Sequence, residues 1–381
     1  MVRRTGQNEL PLEDPGAPTF GPHHYVPVLL TRQGERLALR ETPDKVKAEM
    51  TPLFCVHPIP EDPDTGLATR SVDEHFVQLA RHLLADWGRR PAFIDVSHVE
   101  GLRPVDGRHA LTWLVEEGRE IGLQLVPTIQ SDADDDAVDA AGAIAQNYAT
   151  GICLRVHAVD WAEFGTPVGD GALLSLVDRL GASFEDCHLV IDVSDQVTDP
   201  PAMTIAALRG TLKALPEANA WRSLTVTGTS MPQSTSHVGR NRMEDLPRNE
   251  WLVWTALMDA QGLPRRPSFG DYGIQNPDPG SGFDFRVMDS SAQLRYTVTD
   301  AWLVARGAAM KKHGNVQIRE LAQAIVSDPR YCGPSFSWGD DWLQKCADNT
   351  CDAGNQAVWR KVGTNHHLAF VTGAIAQRIG S

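Results

Sequence analysis

Short apolar runs alternate with amphipathic stretches from residue 25 to residue 274. The apolar runs cover residues 25–31, 51–59, 91–99, 124–130, 152–159, 187–195, 223–232 and 267–274. Helix-like sequence follows each of the first seven runs; in residues 72–88, for example, Phe76, Leu79 and Leu83 share one face of a helix. The runs are continuous rather than alternating in polarity, which is typical of strands covered on both faces of a parallel sheet.

This order predicts the α/β class and, within it, a (β/α)8 barrel of the TIM type, because seven strand–helix units precede an eighth strand. A doubly wound open sheet is the alternative, but it usually has fewer repeats, and no GxGxxG motif follows the first strand. The proline-containing residues 1–22 are predicted to be a flexible tail. Residues 23–292 are predicted to form the barrel core, and 293–381 a C-terminal elaboration that packs on the barrel and completes it.

The alternation ends after the eighth apolar run. Residues 294–307 predict a short β-hairpin around Asp300, and residues 317–328 predict a helix. Residues 365–379 predict a final amphipathic helix, which would be the eighth helix of the barrel. The polar residues 233–247 and 275–292 are predicted to be loops.

Composition and charge narrow the function classes. The chain has 381 residues, 35 basic and 49 acidic side chains, and a formal net charge of -14. The acidic balance argues against broad binding of duplex DNA, although it leaves room for a local basic groove. The sequence has neither a membrane-spanning apolar run nor the apolar core of a signal peptide, so we expect a soluble, cytoplasmic protein.

Polar residues at the carboxyl ends of the predicted strands are the candidates for chemistry, because this end of a TIM barrel carries the active site. They are His57, Asp95, His98, Thr128, Gln130, Arg155, His157, Asp192, Asp195, Thr227, Ser230, Asp271 and Tyr272. A carboxylate at the end of a buried strand is costly unless it is paired or binds something. Asp95, Asp192 and Asp271 are therefore the most informative members of this set.

Two interpretations of these carboxylates remain open. In one, Arg155 pairs with them in a closed ionic layer across the top of the barrel. In the other, which we favour, Arg155 clamps an anionic group while a carboxylate acts as a base or a metal ligand. Asp95, Asp192, Asp271 and His57 would suit a hard divalent cation, although no HExxH motif is present.

The C-terminal residues add further candidates. Arg295 and Tyr296 lie in the predicted hairpin, and Trp359 and His367 lie near or in the last helix. An aromatic side chain beside an arginine could stack a base or another ring. The alternative is that the tryptophans only anchor this segment to the barrel.

A series of short motifs in a fixed order carries a family resemblance. The motifs are YVPVLLTRQGERLAL, FIDVS, CLRVH, VIDVSD, FGDYGI, LRYT, WLVARG, FSWGDDWL, GNQAVWR and TNHHL. Over about residues 24–375 the chain resembles the phage-associated "beta protein" family. The resemblance implies an origin in phages or bacteria, often near mobile or defence genes, and it supplies no chemical role for any residue. It marks as motif positions Asp95, Arg155, Asp192, Asp271, Tyr272, Arg295, Tyr296, Trp359 and His367.

These observations lead to the hypothesis of an enzyme, a hydrolase or lyase, that acts at the barrel mouth on an anionic, phosphate-bearing or nucleotide-like substrate. The predicted catalytic residues are Asp95, Asp192, Asp271, Tyr272 and His367. The predicted substrate-binding residues are Arg155, Arg295, Tyr296, His57 and Trp359. The alternative is a non-catalytic module that recognises a phage component or a partner protein in a defence assembly. Unpaired carboxylates in a concave pocket would favour the enzyme, and a dry ionic layer would favour the module.

Overall fold

A computed structural model describes residues 20–62, 64–157, 170–277 and 291–380, so most of the predicted tail lies outside the described residues. The strands are β1 (Tyr25–Leu30), β2 (Leu53–Cys55), β3 (Pro91–Asp95), β4 (Gln124–Gln130), β5 (Ile152–His157), β6 (Cys187–Asp192), β7 (Ser223–Gly228), β8 (Arg242–Pro247), β9 (Ser268–Asp271), β10 (Ser291–Thr297) and β11 (Ala301–Ala309). The α-helices are α1 (Gln33–Glu41), α2 (Asp44–Lys47), α3 (Val72–Asp86), α4 (Ala110–Ile121), α5 (Asp135–Tyr148), α6 (Asp170–Arg179), α7 (Ala202–Ala214), α8 (Asn249–Asp259), α9 (Met310–His313), α10 (Ile318–Val326), α11 (Trp338–Ala347) and α12 (Gln356–Gly380).

Eight parallel strands close into a barrel in the order β1 to β7 and then β9, which pairs back to β1. At this closing seam Tyr25 lies opposite Phe269 and Val26 lies opposite Gly270. A side chain at Gly270 would bring its Cβ to 2.8 Å from Thr227 and 2.9 Å from the Val26 carbonyl, so the seam needs glycine there. The predicted (β/α)8 barrel is confirmed.

The barrel separates two apolar layers, as the alternation of side chains along each strand requires. Val28, Leu53, Phe93, Val126 and Val190 point to the inside and pack together there. The larger layer lies between the strands and the surrounding helices, and it includes three residues of α12, which are Leu368, Val371 and Ile375. The last helix therefore packs on the barrel wall, against α1 and β1.

A second, antiparallel sheet has the strand order β10, β11, β8. The hairpin of β10 and β11 was predicted, whereas β8 lies in residues predicted to be a loop, and that prediction was wrong. Leu246 is the one buried residue of β8, and the rest of the strand is exposed or half-buried. Pairing of its backbone with β11, rather than burial of a side-chain pattern, makes this segment a strand.

The described residues include no helix that combines the length and the apolar character needed to cross a membrane.

The approach of α1 to α12 generates a stability prediction. A Cβ at Gly34 would lie 2.7 Å from the Ala357 carbonyl and 2.9 Å from Arg360 Cβ. We expect Gly34→Ala to lower the free energy of unfolding by about 1–3 kcal/mol, because α12 must move away. Gly210→Ala in α7 is the matched control, since nothing lies within 4 Å of its added Cβ; it should stabilise the protein by up to about 1 kcal/mol. Urea denaturation measures both, and a stabilising Gly34→Ala would contradict the packing.

Candidate functional site

Arg155 lies at the centre of the barrel mouth and makes hydrogen bonds to groups from four other strands or strand ends, the longest of them to Cys55 Sγ on β2 at 3.4 Å. Its Nη1 is 2.7 Å from Asp95 Oδ2, and its Nη2 is 2.7 Å from Asp192 Oδ2. Arg155 Nε also donates to Asp192 Oδ2 at 2.9 Å, and Nη2 donates to the Tyr272 hydroxyl at 2.6 Å. All four side chains are buried. We call this set of Arg155, Asp95, Asp192 and Tyr272 the floor layer.

The floor layer is saturated with internal hydrogen bonds. The outer oxygens of Asp95 and Asp192 accept the backbone N–H groups of Ser97 at 2.8 Å and Ser194 at 2.7 Å. Burial alone would raise the pKa of Asp95, but Arg155 and the Ser97 N–H outweigh it and hold this pKa below its ordinary value. One guanidinium faces two carboxylates, so the floor layer has no positive charge to spare for an anion. This arrangement matches the closed ionic layer rather than a set of unpaired carboxylates.

A pocket of about 570 Å³ lies above the floor layer. We call it the mouth pocket. Arg155 and Tyr272 form part of its base, and the predicted strand-end residues His98, Gln130 and His157 form part of its wall. Because its lining comes from the ends of β1, β3, β4, β5, β6 and β9, the pocket lies where TIM barrels carry their active sites.

Glu35 lines the mouth pocket, and the sequence reasoning missed it. It lies in the first turn of α1, only 2% of its surface is exposed, and its Oε2 has no hydrogen-bond partner among the residues described. Burial raises the pKa of Glu35 from its ordinary 4.5 to about 7, although Arg360 and Arg32 oppose the shift. A carboxyl group that titrates near neutral pH suits a general acid and base. A glutamate in a first helical turn is common, and the sequence carries no signal that this one is buried.

Asp271 and His367 lie away from the mouth pocket, between the barrel wall and α12. Asp271 Oδ1 accepts the Tyr25 hydroxyl at 2.5 Å, and Asp271 Oδ2 is 2.9 Å from His367 Nε2. Burial lowers the pKa of His367, so the ring is neutral. Its Nε2–H then donates to Asp271, and its Nδ1 accepts the Thr297 hydroxyl at 2.8 Å. These buried bonds join β1, β9, β10 and α12.

Arg248 completes this second network, and the sequence reasoning also missed it. Its side chain is fully buried, with Nη2 at 3.6 Å from Asp271 Oδ2 and Nε at 3.4 Å from Glu250 Oε1. Arg248 Nη1 donates to the Val298 carbonyl at 3.2 Å, and the guanidinium carbon lies 5.7 Å from the centre of the Trp302 ring. Arg248 therefore connects the barrel to the antiparallel sheet.

The remaining predicted site residues are dispersed. The Tyr296 hydroxyl donates to Asp340 at 2.8 Å, and its ring stacks on His366 at 3.8 Å between centroids, inside the sheet and helix packing. Arg295 and Trp359 line a smaller cavity of about 170 Å³, which we call the side cavity and which shares Gln275 with the mouth pocket.

His57 lies in a third cavity, outside the barrel. The four side chains predicted to suit a metal are thus spread over three places. Asp95 and Asp192 pair with Arg155, Asp271 bonds to His367, and His57 is separate from both. Within the described ranges no three His, Cys, Asp or Glu side chains are grouped closely enough to hold a metal ion.

Fold and site together define a (β/α)8-barrel protein with a polar pocket at the carboxyl ends of its strands. The chain belongs to the Beta protein family, whose model matches residues 25–373, and the resemblance noted in the sequence is thereby confirmed. No curated protein matches the chain.

Two solved structures that resemble the chain are TIM-barrel enzymes. One is a type I 3-dehydroquinate dehydratase from Clostridium difficile, with 12% identity, a TM-score of 0.36, and coverage of 69% of this chain and 87% of that one. The other is triosephosphate isomerase from Bartonella henselae, with 11% identity, a TM-score of 0.35, and coverage of 67% and 94%. Both likenesses are too distant to inform the function.

The floor layer generates a second stability prediction. Arg155→Met leaves Asp95 and Asp192 buried without a counter-charge, and we expect it to cost about 3–5 kcal/mol of the free energy of unfolding. The matched control is Arg179→Met, which removes an ion pair to Asp135 at the protein surface and should cost less than about 1 kcal/mol. Equal effects in urea denaturation would show that the floor layer is no better protected from water than a surface pair.

Proposed function

We propose that this protein is a barrel-mouth enzyme in which Glu35 transfers the proton. Its substrate would be an anionic molecule, phosphate-bearing or nucleotide-like, and its reaction the hydrolysis or lysis of a phosphoester. The observation that carries the proposal is the buried, unpartnered Oε2 of Glu35 in the wall of the mouth pocket. A pocket of about 570 Å³ has the size of a small-molecule site.

The chemistry needs one group that takes a proton from the nucleophile and returns it to the leaving group. In hydrolysis, Glu35 would take a proton from water as the water oxygen bonds to phosphorus and the bond from phosphorus to the leaving oxygen breaks. The leaving oxygen would then receive that proton from Glu35. In lysis, a hydroxyl of the substrate replaces the water. A carboxyl group with a pKa of about 7 can serve in both directions near neutral pH.

The floor layer takes a supporting role in this proposal. The Tyr272 hydroxyl donates to Asp192 Oδ2 at 2.5 Å and accepts from Arg155, so its proton is already engaged. The N–H groups of Arg155 likewise donate to Asp95, Asp192 and Tyr272. Both side chains give the pocket a rigid base, and the proton transfer falls to Glu35.

The anionic part of the substrate is expected at the side cavity. Arg295 donates there to the Ile274 carbonyl and to Gln293, and neither of these groups is a carboxylate. Arg360 lines the same cavity and makes no salt bridge within the described part of the chain. Burial, followed by repulsion from Arg360, lowers the pKa of Arg295 to about 10, as expected for a guanidinium without a counter-charge. Trp359 is close enough to this pair to pack against a substrate ring.

The saturated floor layer favours a second candidate function. Because Asp95 and Asp192 are both paired with Arg155, neither is poised to act as a base. Under this candidate the mouth pocket binds without turnover, and the protein is a recognition module for a phage component or for a partner protein in a defence assembly. The two candidate functions differ in whether the protein catalyses a reaction that is lost when the Glu35 carboxyl group is replaced.

The first experiment compares turnover by the wild type and Glu35→Gln. The substrates are bis(p-nitrophenyl) phosphate, 2′,3′-cyclic nucleotides and nucleoside diphosphates, assayed between pH 6 and pH 8. We expect the wild type to cleave at least one of them and Glu35→Gln to be slower by about 10²- to 10⁴-fold. Glu320→Gln, which changes an exposed carboxylate on α10, should keep the wild-type rate. Binding of these compounds without any turnover would favour the recognition module.

The same variant should gain stability while it loses activity. Because folding raises the pKa of Glu35 from 4.5 to about 7, its contribution is intact below pH 4.5 and is lost as pH rises through 7. Glu35→Gln should therefore unfold less readily than the wild type at pH 8, by up to roughly 3 kcal/mol, with the difference fading toward pH 4.5. Urea denaturation at the two pH values measures this. A destabilised Glu35→Gln at pH 8 would mean that the carboxylate is well paired, which removes the basis of the proposal.

A further inference from the structure

A cavity of about 570 Å³ lies outside the barrel, bounded by α1, α3, α12 and the loop after β2. Four arginines line it, and they are Arg32, Arg36, Arg70 and Arg360. Its lining also includes three histidines, His57, His75 and His82. We call this cavity the basic chamber.

The charge of the basic chamber is unbalanced. Among the described residues that line it, none is aspartate or glutamate, although acidic side chains outnumber basic ones in the chain. Arg36 pairs with Asp86 at 2.5 Å, and Arg70 donates to the Gln78 amide oxygen. A salt bridge thus neutralises one of the four guanidinium groups. Glu35 lies near Arg32 and Arg360, and Glu74 lies near Arg70, but neither carboxylate lines the chamber or forms a salt bridge with these arginines within the described residues.

Arg32 and Arg360 are the two arginines that point to a ligand. Neither makes a salt bridge or a hydrogen bond through its side chain within residues 20–62, 64–157, 170–277 and 291–380. The Nε of Arg360 is also buried, and it lacks an acceptor there. A buried donor without an acceptor is destabilising, and an anion in the chamber would supply the acceptor.

The start of α1 adds a third, independent feature. This nine-residue helix begins at the wall of the basic chamber, where Gln33 lines the cavity, and its N-cap residue Arg32 makes no side-chain capping bond. The first-turn N–H groups and the positive end of the helix dipole favour an anion at this position, and the Glu35 carboxyl of the same turn already accepts the Arg32 backbone N–H. The helix end and the guanidinium groups therefore select the same kind of ligand.

We propose that the basic chamber binds a phosphorylated small molecule through a group with at least two negative charges, with pyrophosphate as the recognised unit. Arginines can hold phosphate oxygens through two parallel hydrogen bonds each. Two guanidinium groups without a salt bridge, a third bonded to a neutral amide and the N-terminus of α1 match an anion larger than a single phosphate. The site goes beyond the proposed function, because it lies outside the barrel mouth. Arg360 borders both this chamber and the side cavity, so the test substitutes Arg32 and Arg70, which line the chamber alone.

Isothermal titration calorimetry on the full chain tests this, with inorganic pyrophosphate as the probe. We expect the wild type to bind pyrophosphate more tightly than orthophosphate. Arg32→Gln and Arg70→Gln should each weaken pyrophosphate binding at least tenfold. The matched control is Arg81→Gln, which changes an exposed arginine on α3 that does not line the chamber, and it should bind like the wild type. Melting temperatures of all three variants show whether each one is folded.

Adenosine diphosphate serves as a second probe. Its comparison with pyrophosphate shows whether the chamber recognises a free diphosphate group or a diphosphate group carried by a nucleotide. Equal affinity for both probes means that the charged group alone is recognised, and tighter binding of the nucleotide means that the nucleoside also has contacts. Both results support the proposal when Arg32→Gln weakens nucleotide binding as well. Nucleotide binding that Arg32→Gln leaves unchanged would place the nucleotide at the mouth pocket and would count against the proposal. Absence of pyrophosphate binding by the wild type would overturn it. Equal weakening by Arg81→Gln would also overturn it, because the attraction would then be non-specific.

A further readout locates the ligand without substitution of a chamber residue. Pyrophosphate should shift the imidazole NMR signals of His57 and His75, which line the chamber, and leave the exposed His313 unchanged. Glu35→Gln should bind pyrophosphate at least as tightly as the wild type, because it removes a carboxyl group that lies near Arg32 and Arg360. Failure of the enzyme proposal would therefore appear as no turnover by the wild type, or as full turnover by Glu35→Gln, with intact chamber binding. Failure of the chamber proposal would appear as turnover by the wild type without pyrophosphate binding.

Discussion

Burial of one guanidinium at the centre of the barrel determines how the mouth is built. Arg155 is removed from water, so its charge requires partners with good geometry, and β3, β6 and the end of β9 each supply one in Asp95, Asp192 and Tyr272. Because those partners are hydrogen-bonded to Arg155, the floor layer is polar but offers no free group for a reaction. In the proposed function the proton transfer therefore falls to a residue above the floor layer, Glu35 in the first turn of α1.

The same requirement recurs wherever polar side chains are buried. Asp271 and His367 bond to each other and receive Arg248, and Tyr296 bonds to Asp340 beside a stacked His366. Each network joins elements that are distant in sequence, so each specifies how the antiparallel sheet and α12 sit on the barrel. Several positions marked by the family resemblance thus maintain the architecture around the pocket.

The barrel could be predicted from the sequence because its strands are continuous apolar runs, whereas apolar residues in its helices recur with the helical period on one face. The residues of the site could be predicted only in part. Asp271 and Tyr272 are neighbours whose side chains face opposite sides of the strand, and a continuous apolar run does not reveal which one points inward. The pKa of Glu35 depends in part on Arg360, which is 325 residues further along the chain. Residues 242–247 form the strand β8 because their backbone pairs with β11. Such facts arise from contacts across the fold, which no local pattern contains.

The pairing of α1 with α12 has a kinetic consequence. Asn365 donates a hydrogen bond to the Ala38 carbonyl, 327 residues earlier in the chain, and Gly34 allows the two helices to touch. Contacts between such distant segments form late, because a long loop must close before they contribute free energy. We therefore expect the barrel wall next to Glu35 to be among the last parts to assemble. During synthesis, most of the strands would be present before α12, which is needed to complete the wall of the pocket next to Glu35.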